Sequence, residues 1–563
     1  MVRRPLAVLA ITLFAGCQAA PRIAADLVIL NGDVRTMNAA TPRATAIVAH
    51  AGRIAYVGDE RGARQWIGSK TRVVNARRHT VLPGLIDSHI HVMEGALARG
   101  ACSLHDEPLT LGAAAAAIRD CAARPPGTGW LIVIDVNGVG FDASARAIDA
   151  IVRDRPVLLW GADGHTAWVN SAALRAARIT AATRDPQGGH FERDSSGAPT
   201  GFLVDAAVTR VTNIAIRPTP AQRVDALRVT LPELHAAGIT SFMEANADAE
   251  TLLTYLELAR DKQLHAHVSI ALQSDGEDDE EEFARLRHLR EQVAHEPLLR
   301  ADVVKLFADG IMERSTQTAA LVAPYLNADG TPTDKQGRLY IDPAATAGFV
   351  RNAADAGFGI HIHAIGDGAV RAGLDAFAAA RAAGSKQRYS IAHLELVDPA
   401  DLPRFGALDV FASLQLLWAQ PDNYSVDAVK PYLGAERHAR LYPARALLAA
   451  GATVAGGSDW NVSSYKPFEA MATGMSRMNP EQPGRGTLNA AEALTLEEML
   501  AAYTVHAARM LGREDEIGSL GAGLAADIIV LDRRLGVATS ANELRKTRVT
   551  HTFIAGRAAP PAN

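Results

Sequence analysis

Eight short apolar segments, each ending in polar or ionisable residues, constrain this chain most. They are Val81–His91, Ile239–Ala245, Ala266–Leu272, Val303–Asp309, Gly359–His363, Tyr389–Glu395, Phe411–Trp418 and Thr453–Asp459. Helix-like stretches such as Pro220–Ala237, Ala344–Ala356 and Ala369–Ala383 separate most of them. Strands that alternate with helices read as parallel βα units. Eight such units predict an α/β fold, a (β/α)8 TIM barrel over residues 80–511, with its chemistry at the C-terminal ends of the strands.

Two additions are expected. Residues 25–59 and 526–559 are rich in Val and Ile, with turn signals at Asn31-Gly32-Asp33 and Ala51-Gly52-Arg53. Such segments read as hairpins, and the two chain ends (22–79 plus 512–560) pair into one small composite β-sandwich. The first two barrel segments lie about 145 residues apart, far more than one βα unit needs. Residues 100–218 are therefore an inserted subdomain over the barrel mouth. It reads as loop-rich from Thr183 to Thr200, and its Ala-rich run Leu111–Ile118 reads as helix. The acidic run Asp275–Glu282 is a solvated face at a helix start, where the dipole favours negative charge.

The N-terminus reads as an address. Arg3 and Arg4 precede the apolar stretch Pro5–Gly16, which is too short to span a bilayer. Small residues then lead into Cys17, resembling a bacterial lipobox in which Phe14 replaces the usual Leu. On this reading residues 1–16 are a signal peptide, Cys17 is lipidated, and the protein is exported to the periplasm or the outer membrane face. The alternative is an ordinary secretory leader with an incidental Cys. Membrane attachment is expected only through that lipid anchor. An oxidising compartment would let Cys102 and Cys121 pair, the alternative being two buried thiols. A net charge of −5, from 57 basic and 62 acidic residues, argues against a nucleic-acid partner.

Residues suited to metal chemistry sit at the predicted strand ends. His89 and His91 close segment one, and residues i and i+2 of a strand face the same side. Two further His-x-His pairs occur, His265/His267 and His361/His363, so context has to single out the first. Lys305 lies inside segment four, His363 ends segment five, His393 ends segment six and Asp459 ends segment eight. A Lys in an apolar strand needs a partner, and carbamylation by CO₂ would make it an anionic metal bridge. His89, His91, Lys305, His363, His393 and Asp459 are the predicted ligands. They suit one or two divalent ions of the zinc type. Any one of these His alone is more often a hydrogen-bonded core residue.

Pro83-Gly84-Leu85-Ile86-Asp87-Ser88-His89-Ile90-His91 resembles the opening signature of the metal-dependent amidohydrolase superfamily. Asp163–Asn170 (DGHTAWVN), Val304–Gly310 (VKLFADG), His363–Asp367 (HAIGD), Gly457–Trp460 (GSDW) and the tail Gly518–Asp527 are similar to its YtcJ-like branch, which includes N-substituted formamide deformylases. The resemblance covers essentially everything after the leader. It implies a barrel with a composite sandwich, a mono- or binuclear centre and hydrolysis of C–N bonds. Superfamily members often pair, which leaves a homodimer open. One departure is Glu244 in Phe242-Met243-Glu244-Ala245, where His-Asp or Asp is more usual.

A divalent ion lowers the pKa of bound water from about 15.7 toward about 7. The expected reaction is attack of metal-bound hydroxide on a small amide, formamide or cyclic amide. Asp459 is assigned as proton acceptor and donor, and His393 or His361 as oxyanion stabiliser. Asp163, His165, Trp168, Trp418 and Trp460 join His361 as candidate substrate contacts, although Trp168 equally reads as a brace for the insertion. The alternatives are the same centre acting on an ester, lactone or phosphotriester, and a non-catalytic ligand-binding envelope lipoprotein.

Overall fold

The computed structural model describes residues 24–124, 129–314 and 316–562. Arg3, Arg4 and Cys17 lie outside the described residues. Among those described, no helix is long and apolar enough to cross a membrane.

The barrel strands are β1 Leu85–Ile90, β2 Ile239–Ala247, β3 His267–Gln273, β4 Leu299–Phe307, β5 Gly359–Ala364, β6 Tyr389–His393, β7 Val410–Leu414 and β8 Thr453–Gly456. They pair in parallel and in chain order. β1, β5, β6 and β7 are buried at every position, so the polar side chains they carry, among them Asp87, His89, His361 and His363, are buried with them. Past the strand ends the circle closes through backbone. Asp459 N donates to His89 O at 2.8 Å, and His91 N donates to Trp460 O at 2.7 Å.

Helices cover the outside for local reasons. Pro220–Ala236 starts from a Thr219/Gln222 capping box with Pro220 in the first turn, and it buries Val224, Leu227, Leu231 and Leu234. Asp279 caps Glu280–Val293, whose first turn holds Glu280, Glu281 and Glu282. Those carboxylates oppose the positive helix end.

The apolar segment Val81–His91 divides between two sheets. Thr80–Pro83 belongs to the sandwich and Leu85–Ile90 to the barrel, because the chain changes partners at Gly84, whose N–H donates to Asp527 O at 2.9 Å. In the sandwich, Ile528–Leu531 from the C-terminal end runs antiparallel to Thr80–Pro83. A second sheet holds Leu27–Leu30, Ala46–His50, Arg53–Gly58 and Arg72–Asn75. Ile29, Ile47, Val81, Ile528 and Phe553 fill the space between them.

The insertion carries its own six-stranded sheet and apolar cores. Where the sequence reads as loop between Thr183 and Thr200, the structure forms a hairpin of Gly189–Arg193 against Pro199–Asp205. Its turn is held by Asp194 Oδ1, which accepts Ser196 N at 2.8 Å and Ala198 N at 3.1 Å. The abundance of Gly, Ser and Asp reflects that turn and hides the strands beside it. The helix Leu111–Ala123 carries Cys121, which is disulfide-bonded to Cys102 with Cα atoms 5.9 Å apart.

Candidate metal centre

The strand ends bring His89, His393 and Asp459 together, each with a ligand atom within 4.8 Å of the others. All three are buried. Asp459 Oδ1 lies 3.1 Å from His89 Nε2 and 3.0 Å from His91 Nε2. Yet Asp459 Oδ1, His89 Nε2 and His393 Nδ1 make no hydrogen bond. Buried polar atoms are normally satisfied, so converging donor atoms without hydrogen-bond geometry fit a divalent cation. The backbone is bent to aim two of these side chains: His393 has φ +75° and Asp459 φ +54°. Such non-glycine conformations each cost roughly 1–3 kcal/mol and collect at functional sites.

Electrostatics point the same way. Burial pushes the His89 imidazole down to about 3, with Lys305 adding to the effect and Asp459 opposing it. A neutral imidazole is the ligand form. Burial alone would raise Asp459, but His89 and His91 hold its carboxyl well below the usual range. Lys305 is 1 % exposed and its Nζ has no hydrogen-bond partner. Burial brings its ammonium down to about 7, against the pull of Asp459. Its Nζ stands 4.6 Å from the Phe307 ring centroid.

His363 packs beside the cluster. Its ring centroid is 4.4 Å from that of His393, while its Nε2 lies 3.3 Å from Gly310 O. Asp309 Oδ1 accepts Ile365 N at 3.0 Å, and its Oδ2 accepts Gly366 N and Ala320 N at 2.9 Å each. These bonds fix the loops after β4 and β5 beside His363.

The expected substrate contacts separate. Trp418 lies flat on His393, with centroids 5.5 Å apart and planes 6° apart, and it lines the site. His165 reaches the cluster from the insertion, 5.3 Å from the His363 ring. Asp163 instead holds the turn that presents His165, its Oδ1 accepting His165 N at 2.9 Å and Thr166 N at 2.8 Å. Trp168 packs between Phe141 and Phe202 in the insertion core, the bracing position. Trp460 packs on Gly95 and edge-on to Tyr465. His361 is not a substrate contact: it is fully buried, with Nε2 2.7 Å from His89 Nδ1 and Nδ1 2.7 Å from Ser390 Oγ. Both ring nitrogens are committed, so neither can meet an oxyanion. The third His pair is remote in role, since His267 Nε2 lies 3.2 Å from the sandwich residue Asp527.

Several supports of the site have no signal in the sequence. Asp87 Oδ1 accepts His89 N at 3.1 Å and Ser458 N at 3.0 Å, tying β1 to the turn after β8. Gln415 Oε1 accepts His393 N at 3.1 Å. Glu244 does not line the cluster. Its Oε2 accepts Tyr255 OH at 2.6 Å and Met93 N at 3.1 Å, pinning the helix that follows His91 to β2.

The sequence profile of the amidohydrolase family matches residues 72–559. The chain is 30 % identical to an N-substituted formamide deformylase of Arthrobacter pascens, over 94 % of this chain and 97 % of that one. A crystal structure of an uncharacterized metal-dependent hydrolase from Pyrococcus horikoshii superposes with a TM-score of 0.71 at 22 % identity, covering 92 % of this chain and 99 % of that one. An adenosine deaminase from Xanthomonas campestris with bound zinc superposes with a TM-score of 0.55 at 16 % identity, covering 96 % and 94 %.

Proposed function

The chain belongs to the amidohydrolase family, and from that premise we propose that it hydrolyses the C–N bond of a small amide or formamide at a divalent-metal centre. One observation carries the reading: the buried, unpartnered atoms Asp459 Oδ1, His89 Nε2 and His393 Nδ1 converge at the C-terminal mouth of the barrel. His89, His91, His393 and Asp459 would hold an ion there. Lys305 and His363 stand beside them for a second. In that case CO₂ would add to the free Lys305 amine with release of a proton, and the carbamate so formed would offer anionic oxygen ligands. A bound divalent ion supplies carbonyl polarisation and an acidified water. Zinc is the proposed metal, since imidazole and carboxylate donors suit it and the Xanthomonas deaminase is described with zinc bound.

Asp459 does the proton work. Its carboxylate takes the proton of the attacking water and delivers it to the departing nitrogen, which cannot leave as an anion. Trp418, flat over His393, forms an apolar wall that excludes water and seats an acyl or N-substituent. The relationship to the Arthrobacter deformylase makes N-substituted formamides the first substrates to assay. The test is hydrolysis of N-benzylformamide, acetanilide and their ester analogues by zinc-loaded protein. Amide turnover that Asp459→Asn lowers by several orders of magnitude supports the reading. Cleavage of esters alone, or an unaffected Asp459→Asn variant, contradicts it. On the leader pattern we further propose export and lipidation at Cys17, which loss of membrane attachment in Cys17→Ser would support.

A further inference from the structure

Resting on the amide-hydrolase reading, we propose that His165 of the inserted subdomain is a substrate-contacting residue of the active site, positioned by Asp205 and Tyr340. The register that pairs Thr166 with Val204 sets His165 opposite Asp205, and Asp205 N donates to His165 O at 2.8 Å. His165 Nδ1 lies 2.5 Å from Asp205 Oδ1. The other oxygen of Asp205 accepts the Tyr340 hydroxyl, which comes from the loop after β4. Three separate segments thus form one chain, Tyr340 to Asp205 to His165, and the His165 ring centroid lies 5.3 Å from that of His363.

The arrangement is expensive as mere packing. The Asp205 side chain is 3 % exposed, and its backbone sits at φ +54°. Burying a carboxylate needs full compensation, and the left-handed backbone adds strain. The backbone beside it has no room for a side chain: a Cβ on Gly310 would stand 2.8 Å from Asp205 Oδ2 and 2.1 Å from Thr318 Oγ1. With Nδ1 committed to Asp205, Nε2 is the nitrogen left for another partner. No described residue bonds it, and the side chain keeps 20 % of its surface open. It borders the mouth beside His363, so Nε2 hydrogen-bonds the scissile amide group. The insertion then does more than cover the mouth: it completes the site.

The test uses the full zinc-loaded chain and two readouts, turnover of N-benzylformamide and binding of benzohydroxamate by calorimetry. Metal content is measured for every variant. His165→Asn can keep the Asp205 bond but has nothing at the Nε2 position, and it should lower kcat about 100-fold. His165→Gln, which places a polar atom near Nε2, should recover part of that loss. Asp205→Asn and Tyr340→Phe should lower kcat more than they raise KM, and should do nothing further in the His165→Asn background. Wild-type kcat/KM and hydroxamate affinity in His165→Asn would overturn the proposal, as would metal loss that matches the activity loss. If wild type cleaves no amide, the amide reading falls and binding decides. Affinity about tenfold weaker in His165→Asn supports the contact, and equal affinity overturns it.

Discussion

His361 holds His89 from below: Nε2 of the first lies 2.7 Å from Nδ1 of the second, and Ser390 Oγ stands 2.7 Å from the far nitrogen of His361. If His361 donates to Ser390 and accepts from His89, the lone pair of His89 Nε2 is left pointing into the cluster. Such outer partners fix ligand tautomer and orientation, and their loss typically weakens metal binding about 10–100-fold. His361→Phe should show that loss in a zinc competition titration with the fold intact by circular dichroism. Unchanged affinity would mean that β1 alone orients His89.

Gly457 gives His89 its room. A Cβ at this position would come 2.8 Å from His89 Cβ and 2.9 Å from its backbone nitrogen. Both are too rigid to yield cheaply, so Gly457→Ala should displace His89, destabilise the fold by about 1–3 kcal/mol and weaken zinc binding. Unaltered stability and affinity, measured by urea unfolding and zinc titration, would contradict this packing.

Acid should unfold the protein partly through His235. This residue is 2 % exposed at the barrel–sandwich junction, its Nδ1 lies 3.0 Å from Ile239 O, and burial pushes its imidazole down to about 4. Between the ordinary value of 6.5 and about 4 the unfolded chain binds a proton there and the folded chain does not. Stability from this site is therefore full above pH 6.5, falls as pH drops to about 4, and is constant below. The total is on the order of 3 kcal/mol. His235→Gln should flatten the pH dependence of the unfolding midpoint in that window, and an unchanged slope would refute the assignment.

The Cys102–Cys121 bond closes a short loop across the insertion, between a strand edge and a helix. Cys121→Ser should lower stability by about 3 kcal/mol, read as an earlier calorimetric transition. The barrel has separate apolar cores, so metal content should be retained. Equal melting of the variant and the oxidised parent would contradict a stabilising bridge.

The parts of this molecule that could be read from sequence follow a repeating physical rule. Buried parallel strands must be apolar until they end, so His363, His393 and Asp459 stood out at the ends of such runs. The contacts that stayed hidden join residues far apart in the chain. Asp205 and Tyr340 meet His165 only because an insertion hairpin folds onto the loop after β4, and no local pattern encodes that meeting. His361 shares the apolar strand context of His363, so its role appears only once both of its nitrogens are seen to be bonded. Trp168 sits in a polar-looking motif, yet its ring is stacked on Phe202. The 183–200 hairpin was masked by the composition its own turn demands.

The most direct test of the account is metal content per chain, by inductively coupled plasma mass spectrometry, on protein purified without chelator, beside His91→Ala and Asp459→Ala. The wild type should hold one or two zinc-class ions, with Lys305 serving as a ligand to both if there are two, and both variants should show marked loss. Essentially no metal in the wild type after incubation with zinc or manganese, or equal content in all three proteins, would contradict it.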